Sequence, residues 1–419
     1  MLSLQLIRQE PELVMRSLAN RGEDADLSRI LSLDEERRRL LQEVESLRSR
    51  RKQASKEIAK MKEKPAALLE EMRDTGETIK SLDEEIDRIE QDLNYLLLRL
   101  PNIVHSKVPI GRDERDNVQV RSWGKPREFD YEPLPHWDIG TRLGIIDFER
   151  GVKISGSRFY VLKGPGARLE RALIAFMLDL HTKENGYTEV YPPFMVKQES
   201  MVGSGNLPKF ADNLYHDAED DIWFVPTAEV PLTNFHRDEI LEAGALPLYY
   251  VAYTACFRRE RMSAGKDTRG IKRGHQFDKV ELYKFVEEST SDRELESMVA
   301  NAEEVCRRLD LPYRIIQLCS GDLGFAATMS YDIEIWAPGS REWLEVSSCS
   351  NCGDFQSRRS NIRYREQPGA KPRFVHTLNG SGLALPRVLI SVLENYQQAD
   401  GSVIVPDVLR AFMGMDVIR

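Results

Sequence analysis

The sequence predicts an α+β protein, with a long N-terminal helical hairpin preceding a larger domain built on antiparallel strands. Three observations lead there. Residues 33–100 carry a heptad pattern that breaks once, at Pro65. Beyond residue 110, alternating apolar and polar segments of strand length dominate, with a few amphipathic helical stretches between them. Two such segments, YYVAYTACF and QFDKVELYKFV, flank a polar stretch without helical or strand period, as two antiparallel strands flank a long loop.

At 419 residues, 41% of them hydrophobic, the chain is large enough for two domains with a sizeable core. The formal net charge is −9, which excludes a bulk polycation, so any nucleic-acid contact must be a local basic patch. Of the five cysteines, Cys349 and Cys352 form one CxxC; Cys256, Cys306 and Cys319 are isolated. Without a second ligand pair no zinc site is expected, and the odd, scattered count suits a reducing cytosol. The start, MLSLQLIRQEPELV, is charged too early for a signal peptide, and no apolar run approaches membrane-span length. The expected location is cytoplasmic.

Residues 1 to about 26 read as a short helical lead-in broken at Gly22. Leu40, Val44, Leu47, Arg51, Ala54, Ile58 and Met61 then step by four and three, a seam with Arg51 as its one charged position. After Pro65 a second seam runs Met72, Thr75, Ile79, Leu82, Ile86, Ile89, Leu93 and Leu96. Two helices of about 30 residues folding back on each other would make an arm about 45 Å long. The two differ in charge: residues 27–64 carry 12 basic against 7 acidic residues, residues 68–100 carry 4 against 10. Pairing across the seam accounts for part of this. Arg48, Lys52, Lys56, Lys60 and Lys64 repeat every four residues, a self-repelling run on an outward face that a polyanion would relieve. A solvated surface is the plainer reading of the same run.

Leu100–Gly111, with Pro101 and Pro109, reads as a linker. The expected division is therefore 1–110, with the hairpin at about 27–100, and 111–419. Residues 112–150 are mixed and polar. SGSRFYVLKGPGARLERALIAFMLDLHTKENGYTEVYPPFMV reads as strand, glycine turn, amphipathic helix and strand. WFVPTAEVPLTNF places Thr227, Ala228 and Glu229 at the end of an apolar strand, where a hydroxyl and a carboxylate could receive an ammonium group. A helix is expected at about 290–309. Two strands with a glycine turn follow, then a third ending in a polar loop. Glu345 and Ser348 on that last strand offer hard oxygens that suit magnesium, or simply a surface strand end. FVHTLNGSGLALPRVLISVLENYQ reads as a glycine-bearing turn, Asn379 to Gly382, leading into a helix that holds Arg387. Pro386 fits the helix's first turn, where no amide donor is needed.

The polar stretch between the paired strands is FRRERMSAGKDTRGIKRGHQFDKVE, Phe257–Glu281. Arg258 and Arg273 are candidate phosphate forks. The stretch resembles the second signature motif of class II aminoacyl-tRNA synthetases in the form found in seryl-tRNA synthetases of bacterial type. Gly186-Tyr187, Val190 and Pro193 resemble the first motif, and the segment around Arg387 resembles the third, in the expected order over nearly the whole chain.

The resemblance implies the class II antiparallel sheet flanked by helices, a homodimer, and an arm that grips the long variable arm of tRNA(Ser) through Arg48, Lys52, Lys56 and Lys60. It implies ATP-dependent ligation of L-serine to tRNA(Ser) through seryl-adenylate, with tRNA(Sec) as a second acceptor. Arg258 and Arg387 would be the catalytic cations. Serine would sit against Thr227, Ala228, Glu229, Glu281 and Ser381, with Glu229 taking the ammonium and Glu281 the hydroxyl. ATP would be bound by Arg258, Arg259, Glu260, Gly274, Phe277, Glu345, Val346, Ser347, Ser348 and Arg387. In that scheme Phe277 stacks on adenine, Arg387 covers the other face, and Mg2+ is held by Glu345 and Ser348.

Arg261-Met262 stands where the family usually has Ala-Gly after Arg-x-Glu, and Pro386 where the third motif often has glycine. An amino acid:carrier-protein ligase of this fold would lack the arm. A non-catalytic paralogue would be expected to lose Arg258 or Arg387. The arm and both arginines are present.

Overall fold

The computed structural model describes residues 1–61, 65–261 and 269–419. The chain forms two compact units. One comprises Leu2–Ala19 with Glu23–Pro101; the other comprises Asn102–Arg419 with Met1 and Asn20–Gly22.

The first unit is helical: α1 (Leu4–Gln9), α2 (Pro11–Asn20), α3 (Leu27–Ile58) and α4 (Ala66–Leu97). Asp26 caps α3 by accepting from the Ser28 amide, one of the donors that a helix start leaves unsatisfied. Helices α3 and α4 pack along the expected seam, burying Leu40, Val44 and Ile58 on one and Ile79, Ile86, Ile89 and Leu93 on the other. The charged seam position, Arg51, is exposed and passes over Gly76, where a Cβ would lie 3.5 Å from its guanidinium, an ordinary contact. Arg37 pairs with Glu90 at 2.7 Å, and Arg48 forks onto both oxygens of Asp83 at 2.8 and 3.0 Å. Arg48 is exposed, as expected for the outward stripe, and also bridges the two helices. The register of the hairpin sets Asp83 within its reach. Lys52 and Lys56 remain exposed on α3, Lys60 is exposed in the turn past its end, and Lys64 lies outside the described residues. Helix α3 stops short of the expected Met61, which is exposed.

The second unit is organised by an eight-stranded sheet: β1 (Val118–Trp123), β2 (Thr188–Glu189), β3 (Leu248–Phe257), β4 (Gln276–Val286), β5 (Tyr313–Gln317), β6 (Met329–Ala337), β7 (Glu342–Gly353) and β8 (His376–Ala384). The spatial order is β1-β5-β6-β7-β8-β4-β3-β2. Every neighbouring pair is antiparallel except β2 with β3, which run parallel at the edge. Strand β1 falls in the segment that read as mixed and polar. It is an edge strand with most of its residues exposed, so no core-facing alternation marked it.

One sheet face carries the helices α5 (Pro165–Lys183), α6 (Ser291–Arg308) and α7 (Leu385–Tyr396). Alternate residues of β4, Val280, Leu282 and Val286, enter that core with Leu173, Met177, Met298, Val299, Val388 and Leu389. Lys284 shares this side and is fully buried, paired with Glu294 of α6 at 3.0 Å and lying 4.4 Å from the Tyr249 ring. The intervening residues Tyr283 and Phe285 pack on the opposite face against Ala228, Leu232, Ile362 and Tyr364. Phe277, Lys279 and Glu281 continue that opposite face, toward the start of β4.

Two bulges place the site. Between β4 and β8 the register runs Val280↔Leu383 and then Glu281↔Ser381, so Gly382 is the extra residue. The segment expected as a turn, Asn379 to Gly382, is therefore part of a strand. Its glycines serve close packing: a Cβ at Gly382 would lie 3.0 Å from His181 Nε2, and one at Gly380 would lie 2.8 Å from Cys349 Sγ. Between β6 and β7, Ile333↔Ser347 is followed by Glu334↔Glu345, leaving Val346 as the extra residue. Residues three apart on a regular strand face opposite ways; the bulge at Val346 turns Glu345 and Ser348 to the same side. The polar loop expected after β7 is a short buried helix, Phe355–Ser360.

Candidate active site

The open face between β4, β7 and β8 holds a cavity of about 320 Å³. It is lined by Thr227, Glu229, Arg258, Glu260, Gly274, Phe277, Glu281, Glu345, Ser348, Ser381 and Arg387 of the expected set. Lys272, Arg273, Lys279, Asn379, Ala384 and Pro386 complete it.

Strands β3 and β4 bring the two ends of the long polar stretch together, with Phe257 opposite Gln276 and Ala252 opposite Glu281. Arg258 is held by its own backbone, whose amide donates to the His275 carbonyl at 2.9 Å. Its Nε donates to the Pro226 carbonyl at 3.2 Å, and its guanidinium lies 5.0 Å from the Phe277 ring centre. The cation over Phe277 in this structure is thus Arg258. Arg387 is engaged with Glu345: it donates to the backbone carbonyl at 2.6 Å and pairs with the carboxylate at 3.2 Å. Glu260 adopts a left-handed φ of 51°, sparsely populated for a residue with a side chain, and faces Arg273 at 3.7 Å. Gly274 leaves little room, since a Cβ there would lie 3.0 Å from the Gln276 carbonyl.

The returning end of the polar stretch is pinned to α7 through a buried histidine. His136 Nδ1 donates to Glu394 at 2.9 Å, and its Nε2 accepts from the Ile271 amide at 3.2 Å. Next in line, Lys272 pairs with Glu342 at 2.6 Å. Met262 lies outside the described residues; the Arg261 amide donates to Asn213 at 3.1 Å.

At the other end of the cavity two carboxylates converge. Glu281 is almost fully buried, with Lys279 from the same strand face against it. Glu229 opens the short helix Glu229–Thr233, its amide donating to Thr227 Oγ1 at 3.2 Å. Its Oε1 accepts from Gln356 at 2.5 Å and Asn379 at 3.0 Å. Burial, reinforced by the nearby Glu281 charge, pushes the Glu229 carboxyl up to about 7. Ser381 faces Glu281 across the bulge, and the peptide around it is fixed twice. Ser347 Oγ donates to the Ser381 carbonyl at 2.6 Å, and His181 Nε2 donates to the Gly382 carbonyl at 3.2 Å. Burial drives the His181 ring down to about 4, so it is neutral and its other nitrogen accepts from Asn185 at 3.0 Å.

Four expected residues do not line the cavity with their side chains. Ala228 and Val346 are in the core, and Ser347 points to the far side of β7 as the brace just described. Arg259 turns away, donating to the Leu214 carbonyl at 2.7 Å and lying 4.7 Å from the Tyr215 ring. Lys272, Lys279, Asn379 and Gln356 were not singled out from the sequence. Lys279 stands two residues before Glu281 on the same strand, so the strand period could have found it; Asn379 fell in a segment that read as a turn.

Glu345 and Ser348 present hard oxygens side by side. Behind them Asp332, opposite Ser348 in β6, has a buried Oδ1 without a hydrogen-bond partner, and burial with the Glu345 charge raises its pKa. An orphaned carboxylate oxygen next to two oxygen donors is a surrounding that fits a hard divalent cation.

The chain resembles known proteins along its whole length. Residues 1–104 match the seryl-tRNA synthetase N-terminal domain family, and residues 210–396 match the class II tRNA synthetase core domain family (G, H, P, S and T). A serine–tRNA ligase of Roseiflexus sp. is 62% identical over 423 residues, and one of Dehalococcoides mccartyi is 60% identical over 419 residues. In both cases 100% of each chain is covered. Among solved structures, seryl-tRNA synthetase from Pyrococcus horikoshii complexed with ATP is 41% identical. It superposes with a TM-score of 0.92 over 100% of this chain and 99% of its own. The chain belongs to the seryl-tRNA synthetases, ATP-dependent class II enzymes that ligate serine to tRNA.

Proposed function

We propose that the cavity activates L-serine with ATP to seryl-adenylate and then passes the seryl group to tRNA(Ser), with tRNA(Sec) as a second acceptor. The observation that carries this reading is the convergence of Glu229, Glu281 and Arg258 in one cavity with Arg387 and Glu345. Carboxylates suit the ammonium and hydroxyl of serine; guanidinium groups suit phosphates.

Arg258 sits between the two halves of the cavity. It holds the serine carboxylate against the α-phosphate and stabilises the charge that spreads over the phosphate oxygens. The nucleophile is already a carboxylate, so no base is needed. Phe277 provides the apolar surface for adenine. Glu260 and the backbone at Gly274 border the nucleoside. Arg387 exchanges its pairing with Glu345 for the distal phosphates. Glu345 and Ser348 would hold Mg2+, which when bound neutralises phosphate charge.

Thr227, Glu229, Glu281 and Ser381 surround the amino acid, with Glu229 on the ammonium and Glu281 on the hydroxyl. Alanine is rejected because it leaves the Glu281 side unpaired, and threonine by size. Residues 1–110 serve tRNA binding, with Lys52, Lys56 and Lys60 exposed on the arm for backbone contacts and Arg48 shared with Asp83. The working form is a cytoplasmic homodimer in which the arm of one subunit serves the site of the other. Among the described residues no helix is long and apolar enough to cross a membrane.

Acid quenching of enzyme mixed with ATP and serine in the absence of tRNA tests the chemistry. Seryl-adenylate and pyrophosphate should form in equal amounts, and added tRNA(Ser) should discharge the adenylate. Seryl-tRNA formation with no adenylate at any time would overturn the two-step reading.

A further inference from the structure

Gln356 is not part of the cavity wall, yet it is fully buried directly behind Glu229. Its amide has a complete set of partners. Nε2 donates to Glu229 Oε1 at 2.5 Å and to the Ser204 carbonyl at 3.0 Å. Oε1 accepts from Tyr283 at 2.9 Å and Thr377 at 2.7 Å. The Ser204 carbonyl can only accept, so the amide nitrogen must face it, and therefore must also face Glu229. The orientation is fixed by chemistry rather than chosen. Asn379 Nδ2 donates to the same oxygen of Glu229. Both scaffold donors thus fall on Oε1, and no described hydrogen bond falls on Oε2.

We propose that Gln356 is a positioning residue for amino-acid recognition: by occupying Oε1 of Glu229 it turns Oε2 toward the cavity to receive the substrate ammonium group. The inference rests on the reading of Glu229 as the ammonium site. A donor to the carboxylate also favours its charged form, opposing the burial that raises its pKa. Loss of the donor should therefore both release the carboxylate and keep it protonated to higher pH. An ordinary packing defect would do neither.

The test is Gln356→Met in the full chain, which keeps length and removes both donors. It is followed by serine-dependent pyrophosphate exchange from pH 6 to 9, with thermal melting as the control for folding. The serine KM should rise about tenfold or more at pH 7. The pH below which it climbs should move upward, while the ATP KM and the rate at saturating serine stay within about threefold. Thr377→Val, which removes one hydroxyl that orients the amide, should raise the serine KM by a smaller factor in the same direction. It decides the matter if Gln356→Met does not fold. A folded variant with unchanged serine KM and pH profile overturns the inference. Glu229→Gln separates the two levels. If it raises the serine KM and Gln356→Met does not, only the role of Gln356 fails; if it leaves the serine KM unchanged, the ammonium site itself is misassigned.

Discussion

Glu229 is the residue whose chemistry constrains the account most tightly. Its carboxyl is raised to about 7 by burial and by Glu281, so near neutral pH it is divided between its two forms. An ammonium ligand needs the charged form. Serine binding should therefore release protons below about pH 7, and the serine KM should fall as pH rises through 7 and then level off. Buffer-dependent calorimetry reads the released proton directly, and a serine KM flat from pH 6 to 8 would contradict the assignment. Between the two halves of the cavity, Arg258→Ala removes the cation proposed to bridge the two substrates. It should lower the exchange rate about 100- to 1000-fold, the usual effect of deleting one donor to developing charge. At this scale Arg258, Thr227, Glu229, Glu281 and Ser381 were legible, because a motif names residues. Lys279, Asn379 and Gln356 were not. Asn379 stood in a segment that read as a turn, and Gln356 in a stretch that read as a polar loop.

The elements contribute geometry that no motif names. The bulge at Gly382 sets Ser381 opposite Glu281, and the bulge at Val346 turns Glu345 and Ser348 to one side. Both arise where a strand carries one residue more than its partner, which depends on pairing register and not on local propensity. For that reason Asn379–Gly382 read as a turn from its glycines. The paired strands around the polar stretch, the helix after Gly164 and the helix carrying Arg387 were legible, since each has a clear period and its own punctuation. Gly380 gives the sharpest element-scale test. A methyl group there would meet Cys349 Sγ and Met298 Sδ, both at 2.8 Å, in a filled core. Gly380→Ala should destabilise the fold by about 1–3 kcal/mol, measured by denaturant unfolding. It should also raise the serine KM, because Asn379 and Ser381 flank it.

At the scale of the whole molecule, residues 111–419 are proposed to carry the chemistry and residues 1–110 to bind tRNA. The heptads made the hairpin legible, but not its register, so the Arg48–Asp83 bridge could not be foreseen. Of the basic stripe, Lys52, Lys56 and Lys60 are exposed among the described residues, and Arg48 is exposed while paired with Asp83. The double variant Lys52→Glu with Lys56→Glu should raise the KM for tRNA(Ser) at least tenfold and steepen its salt dependence less than the parent. Pyrophosphate exchange without tRNA should be unchanged. On the proposed reading, the Glu229–Glu281 cavity activates serine and no close analogue. The most direct measurement is exchange of labelled pyrophosphate into ATP, without tRNA, in the presence of serine, threonine, alanine or glycine. The account predicts strong exchange with serine and little with the other three. Exchange led by alanine or glycine, or none at all from folded protein that binds ATP, would contradict it.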